Sequence, residues 1–548
     1  MKADLVIYGK IYTADRDRTI ASAMAVGDGK ILYVGDRKGV EDYIGPETKV
    51  KNKEEGLIIP GITEGHGHIS STTELIYGAH LSNLKSVDEY VAAIRDYIEQ
   101  NPDESVISGC GFENGNFGDI GPTADILDSI SCDKAMVFIS EDHHSFWVNS
   151  KAMELAGVDE STPDVENGVI VRYPGTRKPT GWFKEMAEGL FDEVLPDMTC
   201  QQIEKGILYY QDIALSNGVT IAFEPMLDKK KKYMDRFKAY ADLNVKNNLK
   251  LTFRIAYTIE PSDDEEHVFS ELERFHRMFS NSSKVQVNTL KIFADGVVEG
   301  HTALLRDDYS DAPGDKGEPM YFQERINNIA KRALDLGYDI HAHAIGDAAI
   351  DQVLDAYEYS QTDDTRDYRN AITHLQVMTP EHVARMKSMN VVAVTNPYWH
   401  FRNGVYYDNL ERPFLGEKRA SEEYYMRSIT AAGVVTSCAS DFPVTVPPRT
   451  MDALHIMVNR KQPGCPEMEE MGKDETISVS DGLWVLTWCG AYQNRLEKTK
   501  GSLKPGMDAD FVFIDKDVLS IPKEDIYRAQ VTHTYIGGEL VWSRNQDD

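Results

Sequence analysis

Residue types that bind divalent metals recur along this 548-residue chain where a single pocket could gather them. His66 and His68 stand two apart, so on an extended strand they share a face and can grip one ion. Glu224, Lys291, the pair His341 and His343, His374 and Asp441 follow. A lone histidine is commonly a hydrogen-bonded core residue, and each of these alone would read that way. Unrelated core histidines, however, have no reason to fall at the ends of successive apolar, β-branched runs. Lys291 lies inside LKIFADG, where burial makes the charged amine costly. Asp441 closes SCASD, where a buried carboxylate needs cationic charge nearby. Together these residues predict a metal site and the hydrolytic chemistry that a metal-activated water can perform.

The runs that must position them are eight: residues 57–68, 218–225, 249–258, 287–296, 338–347, 370–376, 390–397 and 434–443. Helix-patterned stretches such as ERINNIAKRALDLG separate them, which is the texture of parallel βαβ units. The fold class expected is α/β, a (β/α)₈ TIM-type barrel spanning 61–495, with its chemistry at the carboxyl ends of the strands. About 150 residues separate the first two runs, far beyond an ordinary βα connection, so an inserted subdomain is expected over 80–205. Residues 1–60 and 496–548 are both rich in short strands, with turn signals at Asp28-Gly29 and Gly537-Gly538. They are expected to form one small composite β-sandwich.

Composition narrows the function classes. The formal charge is −31, which disfavours nucleic acid and anionic membrane surfaces as partners. No apolar stretch approaches the ~20 residues of a spanning helix, and no signal peptide is evident. Cys110, Cys132, Cys200, Cys438, Cys465 and Cys489 have no framework spacing and read as reduced thiols of a cytoplasmic protein. A small-molecule substrate and a possible homodimer complete the expectation. In HAIGDAAID, Gly346-Asp347 carries too few glycines for a phosphate cradle, and Asp347 is expected to cap the following helix.

Several motifs in register resemble the metal-dependent amidohydrolase superfamily, in its long-chain, YtcJ-like branch that includes N-substituted formamide deformylase. PGITEGHGH is similar to that branch's PGFIDxHxH, with Glu64 for aspartate and Thr63 for isoleucine. DHHSFWVNS resembles DGHxxWVNS, with His143 for glycine. KPTGWFKEMA, KIFADG, HAIGDAAID, THLQ, ASDFPV and GSLKPGMDADFVFID follow in the same order. Two departures stand out: THLQ lacks the glutamate usual before the strand-six histidine, and DGVVEGHTA has Glu299 and His301 where Ser and Arg are common.

The resemblance implies that His66, His68 and Asp441 hold one divalent ion and that His343 and His374 hold another, zinc being the expected metal. Lys291, carboxylated, would bridge them; one metal with unmodified Lys291 is the alternative. Asp441 would be the catalytic base, and His400, in NPYWH, a stabiliser of the developing oxyanion. His144, Trp147, Trp182, His301 and Trp399 are expected at the substrate, with His341 behind the ligands. Of the aromatics Phe112, Phe117, Trp147, Trp182, Tyr398, Trp399, Phe401, Tyr406 and Tyr407, a part should be core and a part should wall the site. The function expected is hydrolysis of a C–N bond (amide, N-acyl or N-formyl) in a small aromatic or cyclic molecule of little charge. Deamination, cyclic-imide or lactam opening, and lyase or isomerase chemistry would use the same centre. A non-catalytic binding protein on a decayed barrel is disfavoured, because every expected ligand is present.

Overall fold

The computed structural model describes residues 1–118, 120–165, 168–227, 231–363, 365–404, 406–445 and 447–545. Its centre is an eight-stranded parallel sheet in sequential order. The strands are β1 (Ile62–Glu64), β2 (Val219–Leu227), β3 (Thr252–Thr258) and β4 (Val285–Phe293), then β5 (Asp339–Ala344), β6 (Ala371–His374), β7 (Val392–Thr395) and β8 (Thr436–Cys438). Each of the eight expected runs overlaps one. Their residues are almost wholly buried, as strands covered on both faces must be. The seam between β8 and β1 closes through Gly65 N–H to Cys438 O at 2.9 Å and Asp441 N–H to His66 O at 2.9 Å. The barrel is therefore sealed at the carboxyl ends of its first and last strands, where the candidate ligands lie.

Helices cover the outside by burying one stripe each. Cys200–Ser216 opens with a capping box, Thr199 and Gln202 satisfying each other's orphan amide groups, and buries Ile203, Ile207, Tyr210 and Ala214. Glu265–Met278 is capped by Asp264, places Glu265 and Glu266 in its first turn and Arg277 in its last, and so complements its dipole. Asp347–Ser360 departs from expectation, because its N-cap is Gly346. Asp347 instead accepts from the Arg306 amide at 2.8 Å, fixing the loop that crosses above.

Two further sheets flank the barrel. Between β1 and β2, six strands order as Gly168–Arg172, Pro179–Glu185, Ser145–Val148, Ala135–Ser140, Val106–Phe112 and Ala79–His80. The terminal segments meet in one continuous seven-stranded mixed sheet, in which Phe511–Ile514 pairs antiparallel with Leu57–Pro60. That sheet curls over a shared core containing Ile7, Met24, Phe511 and Tyr535. Asp28 and Gly29 take φ of 51° and 73°, the left-handed pair that a tight hairpin needs. Among the described residues no helix is long and apolar enough to cross a membrane.

Candidate metal centre and active site

β1 ends at Glu64, four residues earlier than the pattern implied, so His66 and His68 lie in the turn beyond it rather than on one strand face. Backbone bonds aim them: Gly67 N–H donates to Phe223 O at 3.0 Å, and His68 N–H to Phe442 O at 2.7 Å. Both histidines converge on one atom, each Nε2 standing 3.2 Å from Asp441 Oδ1. Glu64 fastens this corner by accepting from the His66 amide at 3.1 Å and from the Ser440 amide and hydroxyl at 2.9 and 2.5 Å. The carboxylate of β1 thereby locks the β8 turn that carries Asp441.

His374, the last residue of β6, completes the cluster: ligating atoms of His66, His374 and Asp441 all fall within 4.8 Å of one another, and all three residues are buried. His343 from β5 packs its ring 4.6 Å from that of His374. Lys291 from β4 is fully buried. Around them stand orienting partners: His341 Nε2 lies 2.7 Å from His66 Nδ1, and Asn396 Oδ1 lies 3.0 Å from His374 Nδ1. Glu224 accepts from the Ser70 amide and the Tyr240 hydroxyl, and so holds the loop after His68.

Lys291 Nζ is buried with no hydrogen-bond partner, and His66 Nε2 and Asp441 Oδ1 find none outside their own cluster, a cost that a folded chain rarely leaves uncompensated. Burial holds the pKa values of His66 and His343 well below the usual imidazole range and that of His374 at about 4, so the rings are neutral. Burial alone would raise Asp441, but the facing His66 and His68 outweigh it and keep the carboxylate ionised. Burial also lowers Lys291 to about 7. Neutral imidazoles, an ionised carboxylate and a deprotonatable amine are the donor states a divalent cation requires, so the residues fit one. A second cluster, Cys200, Glu204 and Asp242, lies on the outer helices; Lys246 already engages Glu204 at 2.7 Å.

Two cavities, about 290 and 270 Å³, meet at this centre and share Asp142, His144, His343, His374 and Asp441 in their walls. His144 is paired with Glu185 at 2.9 Å. Burial would lower its pKa, yet the carboxylate raises it to about 10, leaving a cationic imidazolium. His143, which stands where the family pattern has glycine, adopts φ of 63° and stacks over His68 at 6.4 Å. That left-handed backbone explains the glycine.

The expected substrate residues divide. His144 and Trp399 line the larger cavity. Trp147 does not: it is fully buried against Phe112 and Phe117, and its indole donates to Thr123 O at 2.8 Å. Trp182 lines neither cavity; it packs on Gly121 and beneath Lys184. His301 pairs with Asp311 and packs on Phe414, also away from both. His400 stacks on Tyr424 at 4.4 Å and lies behind the wall that its neighbours Trp399 and Phe401 form. Sequence reasoning missed Glu113, Glu141, Asp142, Glu411 and Tyr424, all of which line the larger cavity.

Comparison with known proteins agrees with this geometry. The chain is 27% identical over 98% of its length to Protein LONG AFTER FAR-RED 3 of Arabidopsis thaliana, covering 91% of that protein. It is 24% identical to N-substituted formamide deformylase of Arthrobacter pascens, with 99% of both chains aligned. An uncharacterized metal-dependent hydrolase from Pyrococcus horikoshii shares the fold, with a TM-score of 0.72, 22% identity, and coverage of 95% of this chain and 99% of that one. Residues 52–542 match the amidohydrolase family. The chain therefore belongs to the amidohydrolase family and is a metal-dependent hydrolase acting on a C–N bond.

Proposed function

We propose that the enzyme hydrolyses an N-acyl or N-formyl amide of a small, ring-bearing molecule, with two divalent ions, zinc in the cytoplasm, at the barrel mouth. The observation that carries this reading is the convergence of His66, His68, His374 and Asp441 where two cavities meet. His66, His68 and Asp441 would hold one ion, and His343 and His374 the other. Lys291 would bridge them as a carbamate: its neutral amine adds to carbon dioxide, a C–N bond forms, and one proton leaves to solvent. The lowered amine pKa supports this step, since it makes the nucleophilic form available near neutrality. When bound, such ions supply Lewis acidity, which makes hydroxide available at neutral pH and polarises a carbonyl.

The chain's own residues do the rest. Asp441 accepts the proton of the attacking water and returns it to the departing amine nitrogen. The His144 imidazolium, held by Glu185, donates toward the carbonyl oxygen as negative charge develops there. We assign this role to His144 rather than His400, because His144 lines both cavities and His400 neither. Trp399, stacked 5.6 Å over His374, and Phe401 orient the ring-bearing portion. The resemblance to N-substituted formamide deformylase favours formamides within this class.

The test is turnover across formamide, acetamide, lactam and cyclic-imide panels, with metal analysis of the same preparation. Amide cleavage above the others is expected. Imide or lactam opening alone would replace this substrate class, and full metal occupancy without any turnover would refute the hydrolase assignment.

A further inference from the structure

We propose that the larger cavity is built for an organic cation, so that the substrate carries a protonated amine or amidinium beyond its scissile amide. This rests on the hydrolase reading only in naming the occupant a substrate. Besides His343, His374 and Asp441, the cavity is lined by Glu113, Glu141, Asp142, Glu299 and Glu411. These carboxylates come from separate parts of the fold: the loops after Val106–Phe112 and Ala135–Ser140, the turn Val298–Gly300 and the turn Tyr407–Glu411.

Of the basic groups nearby, Lys184 lies over the Trp182 ring and donates to Gly300 O at 3.3 Å. Lys85 pairs with Glu113 at 3.0 Å and His144 with Glu185 at 2.9 Å. Behind the wall, Arg460 spends its guanidinium on the carbonyls of Glu423, Tyr424 and Met471. Among the described residues no lysine or arginine forms an ion pair with Glu141, Asp142, Glu299 or Glu411. Glu411 receives, among the described residues, only the neutral Gln376 amide, at 3.1 Å. Glu113 is 4% exposed, and its Oε2 has no partner.

Carboxyl groups gathered in a low-dielectric wall repel one another when ionised, so burial leaves protons on some of them, as on Glu411, and a cationic occupant favours their ionised form. The remaining walls suit the same guest. Trp399, Phe401, Tyr406 and Tyr424 also line the cavity, and aromatic rings attract ammonium and amidinium groups. An anionic substrate would meet the same carboxylates as repulsion. The expectation of little substrate charge gives way here to a cationic one.

The probe is benzamidine against its neutral counterpart benzamide, titrated calorimetrically into the metal-loaded enzyme and into the Glu299→Gln/Glu411→Gln variant. Benzamidine should bind at least tenfold more tightly than benzamide. In the double variant that advantage should fall at least tenfold, while benzamide affinity stays close to wild type and a cooperative thermal melt is retained. Equal affinities, or a preference that survives in the variant, would overturn the assignment. Turnover of N-formyl 4-(aminomethyl)benzylamine against N-formyl 4-methylbenzylamine separates the two readings. Cation binding without cleavage of either formamide would sink the hydrolase reading alone. Equal cleavage of both, with no benzamidine preference, would sink the cation pocket alone.

Discussion

Arg460 is fully buried, and its three side-chain hydrogen bonds all go to backbone carbonyls: Met471 O at 2.6 Å, Glu423 O at 3.0 Å and Tyr424 O at 3.2 Å. It thus holds the segment that presents Tyr424 to the larger cavity. Arg460→Met keeps much of the stem packing and removes the fork. Three bonds from a charged donor are worth together about 5–9 kcal/mol gross. Against this, several kcal/mol spent on burying the guanidinium are recovered. The net loss expected is ~2–4 kcal/mol, confined to the segment rather than spread over the fold. In hydrogen exchange that range is roughly 30- to 700-fold faster opening. It should appear at the Tyr424 amide, which donates to Gln376 O, and at the Met471 amide, which donates to Arg460 O. Amides of β4 and β5 should not change. KM should rise with kcat little altered, since the centre itself is untouched. Arg460→Lys, which keeps the charge without the fork, should fall between. Unchanged exchange at Tyr424 in Arg460→Met would refute the reasoning, and so would uniform acceleration across the barrel.

Asp441→Asn should cut kcat by at least ~10² with the fold intact, metal content being measured alongside because ligand and base roles overlap. Lys291→Ala should lose most bound metal, and short carboxylic acids should restore part of the activity; a variant that keeps its metal would exclude the bridge. Burial, then Glu299, push the Glu411 carboxyl up to about 8, so the native state holds a proton there that the unfolded chain has released. Stability should therefore fall as pH rises from about 4.5 to 8, by at most ~1.4 kcal/mol per unit, and Glu411→Gln should flatten that slope in thermal melts. Gly346→Ala would set its Cβ 1.9 Å from Leu304 O, so soluble yield and melting temperature should drop; a wild-type melt would show that the loop yields freely.

The barrel was readable because each strand is a continuous β-branched run bounded by turn residues, a local signal. The cluster of His66, His374 and Asp441 was readable because such residue types are rare at strand ends. What failed is instructive. The apolar pattern runs through Gly61 to His68, yet pairing stops at Glu64, because the turn carrying His66 and His68 bonds to Phe223 and Phe442 instead. Trp147 and Trp182 look like Trp399 by composition, and only the course of the inserted sheet turns them away from the cavity. Glu411 and Tyr424 lie in a stretch of irregular helix, including the π-type turn Tyr407–Glu411, where no periodicity marks a face. In a chain with 89 acidic residues, one more glutamate carries no signal of its own. Glu299 was the exception: it stood out as a departure from the family pattern, and it lines the cavity.

The pairing of Phe511–Ile514 with Leu57–Pro60 has a consequence for how the chain is made. On the ribosome, the strand that leads into β1 emerges long before the strand that completes it. At about 5–20 residues per second the interval is on the order of half a minute or more. Throughout it, Leu57–Pro60 offers an unpaired, strongly apolar edge on that side, open to any other strand nearby. Barrel assembly can proceed meanwhile, but the corner holding His66 keeps an unfinished foundation until translation is nearly over. Nascent chains should therefore depend on chaperone occupancy in that window. A circular permutant that begins near residue 500 and joins the present termini would have both strands within its first stretch of synthesis, and should need chaperones less.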